Sequence, residues 1–324
     1  MNRLSNAVAA LSKAAGPWMD PHSGRPAQAE AATLCAWEGL PLLVPDAALF
    51  AARHLGIGPG LVRFEPLPVD APDALSPHLA PAARLDLGLA PPDLWGPLAL
   101  RPDADPAAVC AAWGIELAPD GPALDLGCGA ATVARRMALA VAAGEREGPV
   151  LAVDRSPAML QLARSALHDG EAAAWVPSSR RGLRPAQPAL PPLPTGAVEW
   201  AIGDALHPPV LPESIAWLHL GNVLDMVPDG PAALIEAVAT TLMPGGLLTL
   251  STPFDDEAAP MPSGPADPTL ELAVALKAAG LHEVAVADPV PWLIREYDRG
   301  WRLLLCRCVA ARRPLRPPRA GSRR

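Results

Sequence analysis

Three carboxylates in the middle of the chain stand at positions where strands end and ligands bind. Asp125 lies within Pro122-Ala-Leu-Asp-Leu-Gly-Cys-Gly-Ala-Ala-Thr-Val-Ala134. Asp154 closes the run Pro149-Val-Leu-Ala-Val-Asp154, and Asp204 follows Gly203 after Ala197-Val-Glu-Trp-Ala-Ile202. Each run is short and apolar, as in a buried strand. After Asp125 come Gly127 and Gly129 and then a helical pattern, so the sequence predicts strand, tight turn and helix N-terminus in succession. Glycines in such a turn let bare backbone approach a bound molecule, because no Cβ intervenes. Two ligand classes compete. A Gly-x-Gly-x-x-Gly turn aims its helix at the pyrophosphate of a dinucleotide, but here the third position is Thr132 and Asp125 would oppose a phosphate. A carboxylate at that strand end suits a ligand with a cationic end. Projecting from successive strand ends into one crevice, Asp125, Asp154 and Asp204 would favour such a cation through their summed potential.

The elements that must position these groups are legible from Pro122 onward, where strands alternate with helices, the pattern of an α/β fold. A helix is predicted from about Ala131 to Ala143, and Ser156-Pro157 cap and open another through Ala166. The fourth strand, Ser214–Leu220, delivers Gly221-Asn222-Val-Leu-Asp225. A helix from Pro231 to Leu242, a strand from Leu247 to Pro253, and a helix over Thr269–Ala279 follow. Strands near Glu283–Asp288 and Trp301–Ala310 finish the domain. His219 and Asp225 flank the fourth-strand tip and are the nearest candidates for a general base. His219 alternates with Leu218 and Leu220, which equally suits a structural histidine. Arg295, Tyr297 and Arg299 offer substrate contacts or a helix surface. Residues 170–197, rich in Pro and Arg, form an insertion too long for an ordinary connection, read as a lid, a substrate-contacting loop or a surface loop.

Asp125-x-Gly127-x-Gly129 resembles the first motif of class I S-adenosylmethionine-dependent methyltransferases, with Ala131 where the family often has Gly. Ala152-Val-Asp-Arg-Ser-Pro-Ala-Met-Leu160 is similar to the second motif, Gly203-Asp204-Ala205 to the third, and Asn222-Val-Leu-Asp-Met-Val-Pro-Asp229 to the segment beside the methyl group. The resemblance covers roughly residues 120–312 and implies a Rossmann-like, doubly wound, seven-stranded sheet, mostly parallel, with an antiparallel last strand inserted between the fifth and sixth. It implies S-adenosylmethionine as cofactor, held by Asp125, Gly127, Cys128, Gly129, Asp154, Arg155, Asp204, Ala205 and Asn222. In the family the second-motif carboxylate holds the ribose, and the third accepts the adenine amino group beside a backbone group that reads the ring. DNA amino methylation is disfavoured, because Gly221-Asn222-Val223-Leu224 replaces the Asn/Asp-Pro-Pro-aromatic motif, and C5-cytosine methylation lacks its Pro-Cys nucleophile. A small-molecule acceptor is the leading expectation. A binding or regulatory protein that kept the fold and lost turnover is the second, and a nicotinamide-dependent oxidoreductase the third.

Bulk properties fit this reading. The 324 residues are half hydrophobic, enough for one sizeable domain and an appendage, and the 42 prolines mark loops and extended linkers. A net charge of −8 argues against a general nucleic-acid binder. The Arg-rich tail over 313–324 is the local exception, read as a solvated segment. Five cysteines without a C-x-x-C pair support neither a zinc ribbon nor a disulfide framework, so no metal is expected and a reduced, cytoplasmic setting is the simplest inference. No apolar run approaches the ~18 residues of a membrane span. Residues 1–119 form a Pro/Ala-rich region, with the first residues read as a frayed helix and a short capped helix read at Asp46–His54. Residues 65–105 read as a wrapping segment. Within this region Cys35-Ala-Trp-Glu-Gly-Leu-Pro-Leu-Leu-Val-Pro-Asp46 resembles the last strand of a small zinc-ribbon-like module that precedes or activates some methyltransferases, with its metal-binding cysteines missing apart from Cys35. A protein partner through this region is a further expectation.

Overall fold

The computed structural model describes residues 4–6, 11, 14–21, 23–30, 35–37, 40–45, 105–169, 175–179, 182–185, 191–227, 230–254, 267–297 and 300–315. The helix read at 46–54, the wrapping segment as far as residue 104, Arg299 and the tail beyond residue 315 lie outside them. In chain order the elements are β1 (Leu4–Asn6), α1 (Ala27–Glu30), β2 (Cys35–Trp37), β3 (Leu40–Leu43), α2 (Pro106–Leu117), β4 (Ala123–Leu126), α3 (Thr132–Ala142), β5 (Val150–Asp154) and α4 (Pro157–Arg164). A π-turn at Ser165–Asp169 leads to β6 (Trp175–Ser179), β7 (Gly182–Pro185), β8 (Glu199–Gly203) and β9 (Ile215–Gly221). A 3₁₀ turn at Leu224–Met226 precedes α5 (Gly230–Thr241), β10 (Leu242–Thr252), α6 (Pro268–Ala278), β11 (His282–Tyr297) and β12 (Gly300–Arg312).

One sheet runs in the order β1-β2-β3-β8-β5-β4-β9-β10-β12-β11. Its seven strands from β8 to β11 have the Rossmann-like arrangement that the resemblance implies. β8, β5, β4, β9 and β10 are parallel, and β12 inserts antiparallel between β10 and β11. The strand order reverses between β4 and β9, which opens the ligand crevice at the carboxyl ends of the strands. β4 and most of β5 and β9 are buried, since helices cover both faces, and their sequences are accordingly near-continuous apolar runs.

Among the described residues the amino-terminal region extends these seven strands: β3 adds in parallel to β8 (Leu42 opposite Ile202, Leu43 opposite Gly203), and β2 and β1 follow antiparallel. Without β3 the backbone groups along β8 would form an open edge, which sheets cover where they can. The first residues, read as a frayed helix, instead contribute β1, paired with β2. Within the insertion β6 and β7 pair antiparallel, and β6 lies close to β11. Thr252 pairs with Arg307, so residues 300–306 of β12 and their partners in β11 extend beyond the end of β10 on the crevice side.

α2 covers the sheet beside the crevice, so this cover begins before residue 120. Asp105 caps it by accepting from Ala108 N (2.8 Å), and Pro106 opens it, where a missing N–H is harmless. At its far end the carbonyls of Ala118 and Pro119 lie past the last helical turn, and that of Gly114 accepts from Ala118 N at 3.3 Å. The buried Arg146 guanidinium donates to Gly114 O, Ala118 O and Pro119 O at 3.1, 3.0 and 2.6 Å, and stands 5.5 Å from the centre of the Trp217 ring. Trp217 also presses directly on Gly114: a Cβ there would sit 2.0 Å from ring atoms. Gly114→Ala therefore sets about 1 kcal/mol of better helix propensity against overpacking of about 1–3 kcal/mol. Denaturant unfolding should show a net loss of stability, and a gain would contradict this packing.

Candidate functional site

The crevice is built around the turn between β4 and α3. Gly127 (φ 72°) and Gly129 (φ 52°) adopt left-handed backbone, and a Cβ on Gly127 would meet Val223 Cγ2 at 2.5 Å. Glycine is thus required at position 127 by both conformation and space. Gly127 N and Cys128 N both donate to Val153 O, at 2.8 and 2.9 Å, folding the turn back onto the end of β5. Ala131 (φ 58°) also lies in the left-handed region and caps α3 without a side-chain bond, so the place where the family often has Gly is one where Gly is favoured.

Asp154 staples this turn from the neighbouring strand. Its Oδ2 accepts from Gly129 N (2.8 Å) and its Oδ1 from Ser156 N (2.7 Å), while Ser156 Oγ caps α4 by accepting from Met159 N. Asp154 remains half-buried at the strand tip, and the exposed Arg155 follows it. Asp204, also half-buried, accepts from Leu206 N at 3.0 Å, which closes a tight turn at the tip of β8 and presents Ala205 beside it.

Asp125 departs from the arrangement read in the sequence. Instead of projecting into the crevice with the other two carboxylates, it is 2% exposed and sits beneath the turn. Its Oδ2 accepts from Ala134 N (2.8 Å), one of the N–H groups at the start of α3 that have no helical partner. Burial, with a smaller contribution from the charge of Asp154, pushes its carboxyl up to about 7 against the pull of the Ala134 hydrogen bond. Cys128, buried in the turn, has its thiol pushed up, first by burial and then by Asp154 and Asp125.

At the tip of β9, Asn222 takes left-handed backbone (φ 54°), which Asn tolerates better than most residues. Its Oδ1 accepts from Ser251 Oγ (3.1 Å) and from Cys306 Sγ (3.9 Å). Asp225, half-buried, accepts at Oδ1 from Thr252 Oγ1 (2.9 Å). The two base candidates therefore differ sharply. His219 is 2% exposed, and its Nδ1 bonds Thr249 Oγ1 (3.1 Å), the same hydroxyl that accepts from Trp217 Nε1 (2.8 Å). Burial lowers its pKa to about 3, so it stays a neutral, structural ring. Asp225 lies at the rim of the crevice. Sequence reasoning missed Ser251, Thr252 and Cys306 here. Cys306 and Cys308, two apart on β12, are both buried, with the Cys306 thiol pushed up to about 12, mainly by burial. Among the described residues no group of three or more His, Cys, Asp or Glu side chains could hold a metal, and no helix is long and apolar enough to cross a membrane.

The raised carboxyl of Asp125 has a sign that stability measurements read directly. Folded Asp125 holds its proton up to about pH 7, whereas the unfolded chain releases it near 3.8. Between those values the folded state binds more protons, so this residue's contribution to stability falls as pH rises. Asp125→Asn keeps an acceptor for Ala134 N and does not titrate. Relative to wild type, the variant should gain on the order of 1 kcal/mol per pH unit across that window. A pH-independent difference in urea unfolding would show that the carboxyl is not raised.

Three solved structures illustrate the similarity. A methyltransferase from Methanosarcina mazei is 16% identical, covering 61% of this chain and 94% of its own, with a TM-score of 0.41. One from Aquifex aeolicus is 17% identical over 69% and 99%, with a TM-score of 0.41. A chain of the complex between the Trm112 methyltransferase activator and a methyltransferase from Haloferax volcanii is 17% identical over 64% and 90%, with a TM-score of 0.42. No curated protein sequence matches the chain. The family match begins at Leu124 and lends no support to a zinc-ribbon-like remnant upstream. The glycine turn, the acidic strand ends and the reversed strand order all fall within or beside residues 124–250, and this part of the chain matches the model of the methyltransferase domain family.

Proposed function

We propose that the chain transfers a methyl group from S-adenosylmethionine to a small-molecule acceptor docked over the tips of β9 and β10. The observation that supports this reading most is the stapled glycine turn. Gly127 and Gly129 carry no side chain at the crevice, and the half-buried Asp154 carboxylate that fixes the turn, accepting from Gly129 N and Ser156 N, stands at the tip of β5. A ribose diol donates to that carboxylate. The turn then takes the methionine portion through Gly127, Cys128 and Gly129, with Asp125 fixing it from below. Arg155 flanks the ribose, Asp204 with the Ala205 backbone takes the adenine edge, and Asn222 stands at the methyl end.

Bound there, the cofactor would supply a methyl group on a sulfonium, open to displacement by an acceptor's lone pair with the carbon–sulfur electron pair leaving on sulfur. The chain's residues need only align the acceptor and remove a proton. Asp225, positioned by the Thr252 hydroxyl, takes that proton from an acceptor N–H or O–H. Asn222 orients the acceptor, because Ser251 and Cys306 hold its carbonyl oxygen and leave its NH₂ as donor.

Calorimetric titration with S-adenosylmethionine, S-adenosylhomocysteine and NADH tests the reading. Micromolar binding of both sulfur compounds and none of NADH is expected, and binding of NADH alone would overturn it. Asp154→Ala should weaken S-adenosylmethionine by about 10- to 100-fold, the worth of one or two charge-assisted hydrogen bonds. Turnover is then read as S-adenosylhomocysteine release with a panel of small amines and hydroxy compounds. Asp225→Asn should lower it about 10²- to 10⁴-fold with cofactor affinity unchanged. Binding with no release across the panel would favour the non-catalytic reading of the fold.

A further inference from the structure

The amino-terminal side does more than extend the sheet, since residues 14–20 and β3 together clamp the loop that carries Asp204. One strand end, β8, leads through Gly203, Asp204 and Pro208-Pro209 to Leu211, and both ends of this path are held by the amino-terminal segment. At the first end β3 pairs with Ile202 and Gly203. At the second, Met19 N donates to Pro209 O (2.9 Å) and Leu211 N donates to Pro17 O (2.8 Å), with Trp18 bridging Val210 between them. Gly203 is itself wedged: a Cβ there would meet Val153 Cγ1 at 2.8 Å and Pro209 Cγ at 2.9 Å. Movement of Pro209 would therefore be felt one residue from Asp204.

The strap is anchored by a single carboxylate at the base of the same strand. Glu199 accepts from Ala15 N (2.6 Å), Gly16 N (3.1 Å) and Trp18 Nε1 (2.7 Å). Trp18 is 1% exposed and packs in the main core with Leu43, Leu151, Ala201 and Val210. Gly16 is needed for the approach, because a Cβ there would meet Leu151 Cδ2 at 2.6 Å. Three donors on one carboxylate, a buried indole and two backbone bonds to the adenine-side loop form an ordered connection. Nothing of this kind joins the strap to the glycine turn among the described residues.

We infer that residues 14–20 and β3 are a positioning element of the cofactor site, acting through Glu199 and Trp18 to hold the 203–211 loop in place for the adenosine end of the cofactor. This rests on the methyltransferase reading and assigns to the amino-terminal region a role inside the site. The test measures affinities for S-adenosylhomocysteine and for 5′-methylthioadenosine, which shares its adenosine and lacks its amino-acid end. Trp18→Ala and the milder Glu199→Gln are compared with wild type, with circular dichroism and thermal melting confirming the fold.

Both variants should weaken both ligands by the same factor, roughly tenfold for Trp18→Ala and less for Glu199→Gln. A strap that merely stabilises the fold would lower Tm and leave both affinities unchanged, which overturns the inference while wild-type binding preserves the methyltransferase reading. Weakening confined to S-adenosylhomocysteine places the effect at the methionine end and also overturns it. Wild-type protein that binds neither ligand removes the methyltransferase reading and this inference with it.

Discussion

A turn made of left-handed glycines is a poor structure on its own, because glycine loses more conformational freedom on folding than any other residue. Here it persists because its N–H groups are taken up by neighbours that are themselves fixed. Gly127 and Cys128 donate to Val153 O, and Gly129 donates to Asp154. Ala134, one turn into α3, donates to Asp125. The acceptors lie at the ends of β4 and β5, which are buried on both faces. Strand burial therefore sets the positions of the acceptors, the acceptors set the turn, and the turn sets the floor of the crevice. A site assembled before its ligand arrives spares the ligand the cost of ordering it.

The same logic places α2. Its C-terminal carbonyls are satisfied by Arg146 from the loop before β5, and its Gly114 lies against Trp217 of β9. Trp217, His219 and Thr249 then form a closed hydrogen-bonded set under the helix. A polar group buried this deeply is tolerable only when it is neutral and paired. That is why the histidine nearest the strand tip is a structural residue, while the half-buried Asp225 on the rim is the carboxylate we propose as the proton acceptor.

Much of this was legible in the sequence, for reasons specific to each element. β4, β5, β8 and β9 announce themselves because strands covered on both faces read as apolar runs cut off by Gly or Asp. Asp154 and Asp204 were placed correctly at strand tips, since a polar residue ending such a run has nowhere else to go. Asp125 was not. Its neighbours Leu124 and Leu126 are as buried as it is, so alternation carries no information about which side meets ligand. Only the path of the turn into α3 decides that its carboxylate meets a helix end. The pairing of β3 with β8 joins residues some 160 positions apart, and the polar stretch at Leu4–Asn6 has no local pattern of a strand. Such contacts follow from the open edge of β8, a property of the assembled sheet.

The burial of Asp125 also changes how the electrostatics of the crevice should be understood. Three ionised carboxylates at adjacent strand tips would repel one another at close range, and the turn between them would have to bear that strain. With Asp125 buried and its proton held to about pH 7, the charge at the glycine turn is concentrated on Asp154, which is half-buried and hydrogen-bonded by two backbone N–H groups. The two residues thus divide the work that the sequence assigned to them jointly. One completes the helix end from inside at modest electrostatic cost, and the other carries the charge where a ligand can reach it. A cation arriving over the turn would favour the ionised form of Asp125 as well, so the field of the crevice strengthens as the ligand it suits is bound.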